Sequence, residues 1–210
     1  SFGVAYTYSE PIVHLEYVLD TAALARERGL KNVLVSNGYI NPEPAEQLLD
    51  LMDAANIDFK SWNPEFYRKE IGGEVAEIKR FLEQAHGRIS LEVTTLVIPT
   101  KNDSQEEIES IARFLASLSP DIPYHLSAYY PQYRYTIPPT PAATLHKLAE
   151  VARKHLHYVY LGNVGIEETN TTCPNCGSLL VRRRGYSVSV KGIEAGRCRE
   201  CGTEISVVGA

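Results

Sequence analysis

The sequence predicts an α/β chain of about six parallel strands alternating with helices in a barrel or partial barrel, followed by a small zinc-ribbon-like β module. Three observations carry that expectation. Short β-rich runs alternate with amphipathic stretches at a repeat of about 25 to 35 residues, the mark of βα units. Polar residues gather at the C-terminal ends of successive runs, where a barrel assembles its site. The four cysteines of the 210-residue chain are confined to two CxxC pairs near its end.

The first run, GVAYTY, stops at Ser9, Glu10 and Pro11, and Ile12, Leu15, Leu19 and Ala22 or Ala23 then recur at helical spacing. NVLVS ends at Ser36 and Asn37. Asn41-Pro42 places proline just inside a second helix, whose apolar face is Ala45, Leu48, Leu49 and Met52. IDFK carries Asp58 and Lys60, and Val75, Ile78, Phe81 and Leu82 mark a third helix. ISLEVTTLVIP runs to Thr100 and Lys101. Asp103 or Ser104, followed by Glu106 and Glu107, suits the capped, acidic first turn of a fourth helix with Ile108, Ile111, Ala112, Leu115 and Leu118 on its buried face. PYHLSAYY ends in Tyr129 and Tyr130, Leu145, Leu148, Ala149 and Ala152 mark a fifth helix, and HYVYLG is the last run. The runs read as continuously apolar, which predicts strands covered on both faces. No GxGxxG or GxxxxGK[ST] loop argues for a dinucleotide or P-loop fold.

After Asn163 the periodicity stops, so residues 1–164 are expected to form the barrel, 165–171 a linker and 172–210 the module. In that module CPNCG and CRECG set Cys173, Cys176, Cys198 and Cys201 at the spacing of two metal knuckles, each followed by a glycine that can turn the chain around the ion. Four thiolates suit zinc, with rubredoxin-type iron or an iron-sulfur cluster as the alternatives. The intervening LLVRRRGYSVSV reads as a hairpin turning near Arg184-Gly185, with Arg182, Arg183 and Arg184 either touching a partner or forming a solvated face.

A composition 44% hydrophobic supports one good-sized core. Net charge −5 and a pI near 5.7 supply no global basic field for nucleic acid or an acidic membrane, so a small-molecule site is the better default. No apolar run approaches a membrane span and no signal-peptide pattern opens the chain, which reads as cytoplasmic.

The ordered set AYTYSEP, VLVSNG, IDFKSWNPEFYRK, TTLVIPTKNDS, PYHLSAYYPQY and VYLGNV, followed by CPNCG, resembles the radical S-adenosylmethionine (radical SAM) enzymes related to pyruvate formate-lyase activating enzyme, and within them the AmmeMemoRadiSam system group. The resemblance covers nearly the whole chain. It implies that YTYSEP meets the amino group of the cofactor's methionine part, with Glu10 supplying the carboxylate, Pro11 stiffening the turn and Ser9 beside them. It implies that Asp58, Lys60 and His125 lie near the cofactor's polar groups, with Asn37 a further cofactor-binding residue. Taken alone, Glu10 is equally a strand-end carboxylate or a helix start, Asp58 and Lys60 a structural ion pair, His125 a hydrogen-bonded strand residue and Asn37 a turn former. Tyr130, Tyr133 and Arg134 either face a substrate or pack together. His155 and His157 have the spacing of a ligand pair, itself a weak signal.

The resemblance further implies a [4Fe-4S] cluster, held in the family by a CxxxCxxC loop after an earlier strand, at which S-adenosylmethionine is reductively cleaved to methionine and a 5'-deoxyadenosyl radical. This sequence contains no such loop. The expectation is therefore a barrel lacking its first βα unit, part of a larger radical SAM enzyme acting on a protein or small molecule. The competing expectation is a catalytically inert barrel with a ribbon that binds or scaffolds. A weaker third is an aldolase- or hydrolase-like barrel using Asp58 and Lys60, the lysine as a Schiff-base former.

Overall fold

The computed structural model describes residues 2–165, 169–185 and 187–206. Its first part runs β1 (Gly3–Tyr6), a 3-10 turn at Pro11–His14, α1 (Leu15–Glu27), β2 (Lys31–Ser36), α2 (Pro42–Leu51), β3 (Ala54–Asp58), the single turn α3 (Pro64–Phe66) extended by a π turn (Tyr67–Ile71), α4 (Val75–Ala85), β4 (Ser90–Val97), α5 (Gln105–Leu118), β5 (Tyr124–Ala128), α6 (Ala142–Ala152) and β6 (Val159–Gly162). All six strands pair in parallel and in strict chain order, β1-β2-β3-β4-β5-β6. A doubly wound sheet reverses its strand order at a switch point, and this one does not. The result is a partial (β/α) barrel, and right-handed crossovers in one direction place all its helices on one face.

That one-sidedness corrects the expectation of strands buried on both faces. Burial alternates along β2, β3, β4 and β5. Leu34, Ala55, Ile57, Leu91, Val93, Val97, Tyr124, Leu126 and Ala128 face the helices and are buried, whereas Asn56, Asp58, Glu92, Thr94, His125 and Ser127 occupy the other parity and stay partly open. No described helix covers the open face, which carries mostly polar side chains, with Val35 and Leu96 also standing exposed on it. Thr94 Oγ1 donates to Asn56 Oδ1 at 2.7 Å across it.

Helices α2, α4, α5 and α6 bury the predicted faces, including Ala45, Leu48, Ile78, Phe81, Ile111, Leu115, Leu145 and Leu148. Pro42 is at the start of α2, and Ser104 caps α5 by accepting from Glu107 N at 3.1 Å. α1 departs from its pattern: Val18, Ala22 and Ala25 are buried, while Leu15 and Leu19 pack on the core only partly covered and Ile12 belongs to the 3-10 turn before the helix. A buried asparagine joins α1 and α2 to the sheet. Asn32 donates through Nδ2 to Ala22 O (2.9 Å) and Leu51 O (3.0 Å), and its Oδ1 accepts from Tyr6 Oη at 3.0 Å.

The second part comprises β7 (Thr171–Thr172), β8 (Leu179–Arg184), β9 (Ser187–Val190), β10 (Ile193–Glu194) and β11 (Arg197–Cys198). The first three form an antiparallel sheet and the last two a separate antiparallel pair. The expected hairpin is present, with Gly185 at φ +56 in its turn; Tyr186 lies outside the described residues, as do 166–168 of the expected linker. Leu180, Val181, Ile193 and Ile205 make a small core with Cys173 and Cys198. The ribbon meets the barrel where Tyr160 Oη lies 2.7 Å from Thr171 Oγ1, Arg183 covers the Tyr160 ring at 5.6 Å, and Ser206 Oγ donates to Asp121 Oδ2 at 3.1 Å. No described helix is long and apolar enough to cross a membrane.

Asn32→Ala leaves two buried carbonyls and a buried phenol without their partner, a loss of about 2 to 4 kcal/mol on the usual scale for unsatisfied buried groups. Urea unfolding should show a lower midpoint at unchanged slope; an unchanged midpoint would remove Asn32 from the packing account.

Candidate functional site

The C-terminal ends of β1, β2 and β3 converge on a cavity of about 290 Å³ lined by Glu10, Asn37, Tyr39, Asp58, Lys60 and Tyr67 among others. Glu10 caps the 3-10 turn after β1. Its Oε1 accepts from Ser36 Oγ (2.6 Å) and Ile12 N (3.3 Å), and its Oε2 from Asn37 N (2.8 Å). One carboxylate thus stitches the exits of β1 and β2 together. Of its roughly four lone-pair positions three are taken, which leaves room for one further donor from the cavity. Gly38 makes the approach possible: at φ +67, a Cβ there would lie 3.0 Å from Ile57 Cγ2 and 3.2 Å from Phe81 Cδ1.

Across the cavity Lys60 Nζ donates to Asp58 Oδ2 at 2.8 Å, with the two side chains 34% and 43% exposed. They share a face, as their spacing implied, and at that exposure the pair is open to exchange for a ligand. Tyr67 is buried beside them, accepts from Lys60 N at 3.1 Å, and has its phenol pushed up to about 12 by burial.

Glu10, Asn37, Asp58 and Lys60 therefore come together; Pro11 is buried behind them and Ser9 stands exposed at the rim. His125 does not join this cluster. It is the second residue of β5, its Nε2 lies 2.8 Å from Glu92 Oε2, and its ring stacks on Tyr160 at 5.4 Å. It lines a larger hollow of about 640 Å³ near the N-terminal ends of β4 to β6, shared with Glu92, Asp121, Tyr158, Tyr160 and Arg183. His155 and His157 turn to different carboxylates, Glu109 (3.3 Å) and Asp121 (2.7 Å), and are not a ligand pair.

The rest of the mouth is tied by side chains whose partners no local sequence signal gives. Glu70 of the π turn receives Lys101 Nζ (2.5 Å) and Tyr135 Oη (2.8 Å), which hold its carboxyl below the usual carboxylate range in that order. Three loops, those after β3, β4 and β5, meet on this one carboxylate. Because the folded value is lowered, the latch is complete above the ordinary carboxylate range and is lost as pH falls through the lowered value. Tyr130 Oη reaches Asn163 O at 2.9 Å, joining the loops after β5 and β6. Tyr133 is 89% exposed with Arg134 5.0 Å from its ring, so these two form the tip of the rim.

In the ribbon, the sulfurs of Cys173, Cys176, Cys198 and Cys201 all lie within 4.8 Å of one another. The Cys173–Cys201 and Cys176–Cys198 separations are 3.6 and 3.7 Å. Metal–sulfur bonds of about 2.3 Å in a tetrahedron require edges of about 3.8 Å, so the set fits one thiophilic ion; a disulfide requires about 2.05 Å. Gly177 and Gly202, both at φ +73, turn the two knuckles as expected. The Thr203 hydroxyl and amide pull the Cys201 thiol down to about 6, whereas burial pushes Cys173 up to about 11. Four thiols so close ionise together only around a cation. The residues do not fit a [4Fe-4S] cluster at the mouth, since the chain's four cysteines are all in the ribbon and none lines the cavity.

The model of the Radical SAM superfamily matches residues 3–115. The chain belongs to the radical SAM superfamily. It is 39% identical over 213 residues to an uncharacterized protein of Methanocaldococcus jannaschii, covering 98% of this chain and 63% of that one. It is 29% identical over 129 residues to the isethionate sulfite-lyase activating enzyme of Oleidesulfovibrio alaskensis, covering 59% of this chain and 42% of that enzyme. The chain thus spans less than two thirds of the length of either relative. Among solved structures, a domain of pyruvate-formate lyase-activating enzyme from Bacteroides vulgatus matches at TM-score 0.68 and 16% identity, over 78% of this chain and all of that one. Streptococcus suis SuiB bound to S-adenosylmethionine matches at 0.56 and 11%, over 70% of this chain and 36% of that one. At such identities the agreement concerns the fold, which is that of the radical SAM barrel.

Elemental analysis of the purified chain should find one thiophilic metal ion per molecule, and Cys198→Ser should lose it along with the fold of the ribbon. Protein that is fully folded with neither zinc nor iron would overturn the metal assignment.

Proposed function

We propose that these residues form the cofactor-binding part of a radical SAM enzyme akin to the glycyl-radical activating enzymes, with a structural zinc ion in the ribbon. The carrying observation is the Glu10 carboxylate, fixed by Ser36 and Asn37 and facing the Asp58–Lys60 pair across one cavity at the strand ends.

S-Adenosylmethionine fits the chemistry of that cavity. It brings an ammonium, a sulfonium and a carboxylate to a site with two carboxylates and one lysine, and its ribose and base to walls that include Ile12, Tyr39, Tyr67 and Ile78. Glu10 would accept from the ammonium, Lys60 would pair with the carboxylate, and Asp58 would accept a ribose hydroxyl. His125, outside this cavity but level with Asp58 two strands across the open face, is proposed to reach the cofactor or substrate over Thr94. In the family the cluster supplies the electron that cleaves the cofactor into methionine and a 5'-deoxyadenosyl radical. This chain's residues would bind, orient and shield it from water. Because all four cysteines are occupied in the ribbon, the cluster ligands of the intact protein would come from residues outside these 210. Its substrate is proposed to be a protein or a small molecule admitted along the open face of the sheet.

Calorimetry of the chain with S-adenosylmethionine should detect binding, and Glu10→Gln and Asp58→Asn should each weaken it about tenfold, the value of one charge-assisted contact. A zinc-loaded, folded chain with no affinity at millimolar cofactor would favour the binding or scaffold reading.

A further inference from the structure

The segment just past β3 leaves the ladder of the sheet, yet its backbone is held almost atom by atom by side chains from other elements. Phe59 N still donates to Thr94 O at 2.9 Å, the last ladder bond. From there Phe59 O accepts from Thr95 Oγ1 (2.6 Å), Lys60 N donates to Tyr67 Oη (3.1 Å) and Lys60 O accepts from Asn102 Nδ2 (2.6 Å). Trp62 N (2.5 Å) and Asn63 N (3.3 Å) donate to Glu107 Oε1, as does the buried hydroxyl of Ser61. Phe59 and Trp62 pack on Phe114 at 6.0 Å each, and Lys79 covers the Trp62 ring at 4.3 Å.

Asn102 is the most committed of these groups. It is 2% exposed, and its carboxamide uses both donors and its acceptor: Nδ2 to Lys60 O and to Leu96 O (2.9 Å), Oδ1 from Ile98 N (2.6 Å). It therefore locks the end of β4 to the one peptide that carries Lys60. Together with Tyr67 on the peptide's N–H, it holds both sides of that residue where a strand neighbour would otherwise do so. A loop needing only to be closed could leave these groups to water. Burying a fully engaged amide instead fixes where the lysine stem begins, which is what a preorganised ligand group requires.

We infer that Asn102 is a positioning residue for the proposed cofactor site, acting on the ligand only through Lys60 and its pairing with Asp58. The inference rests on the cofactor reading above. Its test uses two readouts on the full chain: affinity for S-adenosylmethionine by calorimetry, and the rate at which the Lys60 amine is acylated, followed by mass spectrometry. Asn102→Ala and Asn102→Asp are compared with Leu148→Ala, a destabilising change in α6 beneath β5 and β6. Asn102→Asp keeps the acceptor for Ile98 N but sets an anion against the two carbonyls. Both Asn102 variants should bind the cofactor at least fivefold more weakly and label at Lys60 at least threefold faster, at melting temperatures where Leu148→Ala does neither. Should either variant fail to fold, the other carries the comparison, and Tyr67→Phe, which removes the hold on Lys60 N, should raise the labelling rate in the same direction. Wild-type affinity and labelling in the Asn102 variants would overturn the inference. If the parent chain binds no cofactor while Lys60 labelling still rises, the cofactor reading falls and the clamp on Lys60 stands.

Discussion

Every other feature of the barrel depends on one constraint: six parallel strands laid down in chain order, each crossover turning the same way. Such a sheet has a covered face and an open one, and it delivers all its strand ends to the same edge. The covered face collects the core, from Leu34 through Ile57 and Val93 to Leu126. The open face keeps Asn56, Asp58, Thr94, Glu92 and His125 partly exposed to the space above, where water or a ligand can meet their polar groups. Near the N-terminal ends of β4 to β6 part of that space is walled by Arg183 of the ribbon. Near the C-terminal ends of β1 to β3 it leads to the cavity with Glu10 and Lys60.

Strand ends by themselves are loose, and this mouth is made firm by a few polar side chains that each join separate loops. Glu10 ties β1 to β2, Asn102 and Glu107 tie the β3 exit to the start of α5, Glu70 gathers the loops after β3, β4 and β5, and Tyr130 fastens β5 to β6. Each such bond contributes little to stability by itself, least where solvent screens an exposed charge. Their value lies in geometry: a ligand that must be held by Glu10 and Lys60 together gains only if neither has to be ordered on arrival.

The helix faces were legible because the 3.6-residue period is local, and Ala45, Leu48 and Leu49 are buried as it implies. α1 was less so: burial centres on Val18, Ala22 and Ala25, to one side of the Leu15–Leu19 stripe that the count followed. The strands misled in another way. Runs such as ISLEVTTLVIP read as apolar throughout, although Glu92 and Thr94 already mark one parity as open. For the candidate site, Glu10, Asn37, Asp58 and Lys60 were singled out because barrel sites form at strand ends, and all four stand at or beyond such ends. His125 sits level with Asp58, two strands across through Thr94, but its ring turns to Glu92 and Tyr160, a choice of partners with no local sequence signal. Tyr67, Asn102 and Glu107 carried no local signal, because Asn102 and Glu107 meet the Lys60 loop across 42 and 45 residues of chain and Tyr67 sits in a π turn with no periodic pattern.

The cysteines set the division of labour within the chain. Sulfurs 3.6 and 3.7 Å apart have the spacing of one ion's ligands, and an ion held there would supply the folding energy that so small a core as Leu180, Val181, Ile193 and Ile205 cannot. Removing one of the four would then weaken the ribbon, and with it the contacts of Thr171 and Arg183 on Tyr160. With the four cysteines gathered in the ribbon, the cavity at the strand ends offers oxygen and nitrogen groups: two carboxylates, one lysine and walls of tyrosine and isoleucine. Such a set can pair with a charged organic ligand and supplies no thiolate to an iron ion, so the polar pairs of the barrel and the sulfurs of the ribbon are separate chemistries within one chain.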